Sequence, residues 1–195
     1  MKKRLPCALA ALLLACPSQA AETPAAAMAP SGLDERLLLP DVALTDRHGG
    51  TQGLVSRYED AGLVLYGFIY TNCTESCGLT ISVMGLVDMD LQTTGAPDLR
   101  LVSVSVDPWR DTPAVLDEVA EMVQASPGWD WVVATPQATP LLLSAFGLEP
   151  GPPEKHGALY VLGDLRRGMF WRLPGDAQPH ELIAMARRYG AAHPP

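Results

Sequence analysis

The chain has 195 residues, 48% of them hydrophobic, and carries 14 Lys and Arg against 22 Asp and Glu, for a formal net charge of −8. That acidic balance excludes a nucleic-acid binder relying on a basic surface. The length suffices for one domain with a substantial core, and no internal repeat is visible.

The chain begins Met1-Lys2-Lys3-Arg4 and runs apolar over residues 5–15. A basic start, a short apolar stretch and a small-residue exit read as an export signal. The stretch is too short to span a bilayer as a helix, which takes about 20 residues. Two exits compete. Ser18-Gln19-Ala20 presents small residues for cleavage, giving a signal peptide over residues 1–20. Leu13-Leu14-Ala15-Cys16 is similar to a lipobox, in which Cys16 would be lipidated and become the new N-terminus. Either way Cys7 is an apolar signal residue. Cleavage removes three positive charges and no negative ones, leaving 11 Lys and Arg against 22 Asp and Glu. Residues 21–32 are rich in Ala and Pro without periodicity and read as a flexible linker. Residues 33–195 read as a single domain.

Residues 41–45 and 53–57 flank Arg47-His48-Gly49-Gly50 and predict a β-hairpin. Residues 63–70 form a continuous apolar run, as a strand covered on both faces requires. Residues 77–92 place Leu79, Val83, Leu86, Val87 and Leu91 at helical spacing. Residues 99–106 read as a second buried strand. Thr112 can cap a helix with Pro113 at its first position, running to residue 125. Residues 129–134 are a third strand, and 139–146 a short helix stopped by Gly147. Residues 158–162 and 169–173 form a strand pair, and 179–189 a closing amphipathic helix. The order is a hairpin, three βα units and ββα. It predicts an α/β fold with a parallel sheet and helices on its faces. A strand that ends in a two-cysteine turn gives this the layout of a thioredoxin-like fold.

Cys73 and Cys77 are the pair left once the export signal is removed. Four residues apart, they would share one face of a helix's first turn. They would stand at the C-terminal edge of a sheet, beside a positive helix end that lowers a thiol's pKa. Such a pair can bind a soft metal or cycle between dithiol and disulfide. One plainer alternative is a structural bridge, but by chain entropy a five-residue loop contributes only about 2 kcal/mol. Another is two buried free thiols, which an oxidising compartment disfavours.

His156 lies in Pro152-Pro-Glu-Lys-His-Gly157, just ahead of a strand. Two sulfurs and one imidazole make a three-coordinate site suited to Cu(I) and usable by Cu(II). Composition alone reads His156 as a surface-loop residue. His48, His180 and His193 read as solvated. Asp107 stands at a strand end on the cysteine edge. It would orient His156 or shuttle a proton, or simply serve as a turn residue ahead of Pro108. Asp111-Thr112-Pro113 reads as a helix cap.

Three motifs occur in order: Gly67-Phe-Ile-Tyr-Thr-Asn-Cys-x-x-x-Cys77, Ser105-Val-Asp-Pro-x-x-Asp-Thr-Pro113, and His156 ahead of Tyr160-x-Leu162-x-Asp164. Together they resemble the Sco/SenC family, over residues 39–189. The resemblance implies a thioredoxin-like fold with an N-terminal hairpin, in a protein exported to or tethered facing the periplasm. It implies one copper ion, Cu(I) or Cu(II), held by Cys73, Cys77 and His156, with Asp107 in support. The implied role is maturation of the copper centre of cytochrome c oxidase, by copper delivery, by reduction of the oxidase subunit's cysteines, or both. The implied partner is that copper-bearing subunit or another periplasmic copper or thiol protein. Membrane contact would come only through a lipid on Cys16. Where the family has prolines after its cysteines, this chain has Thr74 and Gly78. Proline presets a helix start and glycine loosens it. Two other readings stand beside this one. A metal-independent thiol–disulfide oxidoreductase would use Cys73 and Cys77, although the usual spacing there is Cys-x-x-Cys. A peroxiredoxin-like peroxidase would need one activated cysteine with Thr and Arg nearby. Thr71 is available, but no arginine sits near the motif in sequence.

Overall fold

The computed structural model describes residues 35–36, 38–72, 77–94 and 99–192. The expected signal peptide over 1–20 with Cys7 and Cys16, the linker over 21–32, Cys73, Thr74 and His193 lie outside the described residues. The strands are β1 (Glu35–Arg36), β2 (Ala43–Asp46), β3 (Thr51–Gly53), β4 (Leu63–Ile69), β5 (Leu99–Ser105), β6 (Trp129–Ala134), β7 (Leu159–Asp164) and β8 (Met169–Pro174). The helices are α1 (Leu54–Tyr58), α2 (Cys77–Thr94), α3 (Pro113–Met122), α4 (Thr139–Ala145) and α5 (Pro179–Ala192). The strands form one sheet in the order β1-β8-β7-β4-β5-β6-β2-β3.

β4 is the central strand, and all seven of its residues are buried. Side chains alternate across a strand, so Leu63, Leu65 and Ile69 face one layer and Val64, Tyr66 and Phe68 the other. The first layer is filled by α2, α3 and α5 through Met84, Leu116 and Leu182. The second is filled by α1 and α4 through Leu54, Tyr58 and Leu142. Each fully buried side chain of this kind stabilises by roughly 1.5–3 kcal/mol.

The sheet is mixed, whereas the alternation of elements predicts a parallel one. β4, β5 and β6 are parallel, but β7 pairs antiparallel with β4, placing Tyr160 opposite Gly67. α4 has seven residues, or about 10 Å of helix, about half the run of β6 at roughly 3.3 Å per residue. The chain then continues through residues 146–158 to the edge where β4 ends, and β7 sets out from there.

Two other expectations change. The predicted second hairpin arm over 53–57 ends at Gly53, and Leu54–Tyr58 is helical. Asp41 supplies the cap, accepting from Val55 N at 2.8 Å, Ser56 N at 3.1 Å and Ser56 Oγ at 2.6 Å. Leu54 and Tyr58, four apart, bury on one face. α3 closes at Met122, short of residue 125. Gln124 adopts φ 56°, while Ala125 N donates to Ala120 O and Gln124 N to Glu121 O, the paired bonds of a Schellman ending.

Candidate functional site

β4 and β5 end side by side, with Ile69 opposite Ser105. From Ile69 the chain turns through Thr71 and Asn72 towards the cysteines. Cys77 opens the 18-residue α2, so its backbone stands at the positive end of a helix. Cys73 and the side chain of Cys77 lie outside the described residues. Among the described residues no group of three His, Cys, Asp or Glu side chains could hold a metal.

His156 follows a 3-10 turn over Pro153–Lys155 and stands three residues ahead of β7. Since β7 begins beside the end of β4, this loop lies on the same sheet edge as the start of α2. The imidazole is half-buried, and its Nε2 lies 3.3 Å from Gly151 O. A carbonyl only accepts, so Nε2 is the donor in that contact. His48 and His180 are exposed, as expected. His48 Nδ1 lies 3.8 Å from Asp117 Oδ1, in the β2–β3 turn.

Asp107 is on this edge and only 2% exposed. Its carboxylate pairs with Arg110 at 2.7 Å, and its N–H donates to Ser105 Oγ at 3.0 Å. Its carbonyl accepts from Arg110 N and Asp111 N, closing the turn that precedes α3.

Asp111 is a site residue that the sequence reading assigned to helix capping. The cap is Thr112, whose Oγ1 accepts from Val115 N. Asp111 is 1% exposed and binds across to the cysteine turn. It accepts from Thr71 N at 3.2 and 3.1 Å, from Thr71 Oγ1 at 2.6 Å and from Ser105 Oγ at 2.6 Å. Burial pushes its carboxyl pKa up, against the pull of the Ser105 and Thr71 hydrogen bonds, and the charge of Asp107 adds to the rise. The available signal was the pair Thr71 and Ser105, two hydroxyl residues at adjacent strand ends on this edge.

A groove of about 240 Å³ runs along the same edge, lined by Pro108, Trp109, Pro136, Pro140 and Pro152 among others. Trp109 stands 78% exposed there. A larger cavity, about 630 Å³, lies at the opposite edge, where β5 and β6 begin. Its arginines are committed to carboxylates, Arg57 to Asp46 and Arg100 to Asp130.

The mixed sheet and the helices on its two faces have a thioredoxin-like fold. Residues 42–129 match the SCO1/SenC family model, a span that holds Cys73, Cys77, Asp107 and Asp111 and ends before His156. No curated protein matches. Among solved structures the chain is similar to BsSco, a member of the Sco family of cytochrome c oxidase assembly proteins with a disulfide switch. The identity there is 21% and the TM-score 0.68, covering 85% of this chain and 98% of that one. It is similar to copper-bound yeast Sco1, at 19% identity and TM-score 0.67, covering 81% and 95%. It is also similar to a SCO1/SenC family lipoprotein from Bacillus anthracis, at 20% identity and TM-score 0.66, covering 81% and 96%. At these identities the likeness is one of fold. Among the described residues no helix is long and apolar enough to cross a membrane.

Proposed function

We propose that this chain is an exported Sco-type copper-binding protein that serves the copper centre of cytochrome c oxidase. Cys73, Cys77 and His156 hold one copper ion as cargo, two thiolates and one imidazole being a donor set that suits Cu(I). The reading rests most on one observation. The loop of His156 and the start of α2 share a sheet edge because β7 pairs antiparallel with β4. The SCO1/SenC match over residues 42–129 and the copper-bound relatives of the same fold support it. Export is supported by the basic, apolar start of the chain and by the lipoprotein among those relatives.

The same pair has redox chemistry. The Cys73 and Cys77 dithiol would attack a target disulfide and pass through a mixed disulfide. It would end as an intramolecular disulfide, with two electrons and two protons moved to the target. The disulfide switch of BsSco favours this as a second activity. The peroxidase reading needs a guanidinium free to polarise peroxide. Arg110 stands on this edge, but it is paired with Asp107.

Deleting the gene should lower cytochrome c oxidase activity most at limiting copper, and added copper should restore part of it. A Cys73→Ala/Cys77→Ala double variant should fail to complement. A defect that persists in excess copper and yields to a small-molecule reductant would assign the thiol activity instead. Normal oxidase activity at limiting copper, in a strain lacking other copper-delivery routes, would sink the assembly role.

A further inference from the structure

We infer that Asp111 is a positioning residue for the Cys73–Cys77 pair: its buried carboxylate ties the turn leading into Cys73 to the end of β5. The inference rests on the reading of these two cysteines as the functional pair.

The ladder between β4 and β5 ends with Val106 N donating to Ile69 O at 2.8 Å. Beyond that rung the side chain of Asp111 joins the two strand ends. One oxygen receives the Thr71 hydroxyl at 2.6 Å and the other the Ser105 hydroxyl at 2.6 Å. Both lie near the Thr71 N–H, at 3.2 and 3.1 Å. Hydroxyl contacts of that length are charge-assisted and strong. Asp111 is itself fixed, because its N–H donates to Asp107 O at 3.0 Å and the next residue caps α3. With Thr71 held, Cys73 two residues on can lie no more than about 7 Å away along the chain. Thr71 is therefore a fixed point within two residues of the first thiol. Thr112 already supplies the cap of α3, so capping does not explain a second, buried carboxylate.

Asp88 is the built-in comparison. It is also buried, at 3% exposure, and holds Ser126 N at 2.9 Å, fastening α2 to the start of β6. It lies eleven residues along α2 from Cys77. A carboxylate that only stabilises the fold should behave as Asp88 does.

The test uses the full chain, copper-free, equilibrated in glutathione buffers, with the free thiols of Cys73 and Cys77 counted by labelling. Asp111→Ala and Thr71→Val should shift the dithiol–disulfide equilibrium in one direction by more than about threefold, which is about 14 mV. Asp111→Asn keeps an acceptor for Thr71 and should fall between wild type and Asp111→Ala. Asp88→Ala should lower the melting temperature and leave the equilibrium within that threefold. If Thr71→Val and a folded Asp111→Ala both stay within threefold of wild type, or if Asp88→Ala shifts it equally, the positioning role is wrong. Should Asp111→Ala fail to fold, Thr71→Val decides alone. The readout needs no metal, so a wild type that binds no copper would overturn the copper function and leave this result standing.

Discussion

Gly78 is the second residue of α2, where the Sco/SenC resemblance leads one to expect proline. A methyl group there would meet no atom within 4 Å, and the backbone φ of Gly78 is not positive. Glycine within a helix is about 0.5–1 kcal/mol less stable than alanine, chiefly through the freedom it leaves the unfolded chain. Gly78→Ala should therefore stabilise by about that amount. For a chain of this size each kcal/mol moves the melting temperature by roughly 2–4 °C, so the expected rise is about 1–4 °C. Gly147 supplies the opposite sign from the same chemistry. Its φ is +75°, and an added Cβ would overlap the Arg172 guanidinium. Alanine in that conformation costs about 1–2 kcal/mol, so Gly147→Ala should melt lower. Urea unfolding of the reduced, metal-free protein, followed by circular dichroism, reads both. A loss of stability in Gly78→Ala would refute the account of this helix start, and a gain in Gly147→Ala would refute the cost assigned to the left-handed turn after α4.

Two further outcomes follow from the site. The carboxyl of Asp111 is raised above the ordinary 3.8, first by burial and then by the charge of Asp107. The folded chain thus holds that proton more tightly than the unfolded one, and the group's contribution to stability is lost as pH rises through its folded value. Wild type should lose stability relative to the non-ionising Asp111→Asn as pH climbs from 3.8; urea midpoints whose difference stays constant with pH would contradict this. Oxidising Cys73 and Cys77 should abolish copper binding, because ligation needs thiolates. Stoichiometric copper on fully oxidised protein, measured by metal analysis after gel filtration, would break the redox gate.

What the sequence discloses about this fold is what local pattern can carry. The seven-residue β4 shows as an unbroken apolar run because both its faces are covered. The start of α3 shows because Thr112 and Pro113 act on their own neighbours. α1 is hidden because it offers only one buried i,i+4 pair, and its cap comes from Asp41, 14 residues before Val55. The direction of β7 is hidden because it depends on its pairing with β4, more than 90 residues earlier in the chain, and not on any local pattern in β7. Cys77 and His156 are picked out by chemistry and position in the chain. Asp111 is not, since its partner Thr71 is 40 residues away, and a carboxylate beside Thr112-Pro113 has a sufficient local explanation.

X-ray absorption at the copper edge, on the reduced protein loaded with one equivalent of Cu(I), tests the ligand set most directly. The account predicts a shell of two sulfurs and one imidazole nitrogen, with the nitrogen missing from His156→Ala and the sulfurs missing from Cys73→Ala/Cys77→Ala. A shell without sulfur, or one unchanged in His156→Ala, would contradict it.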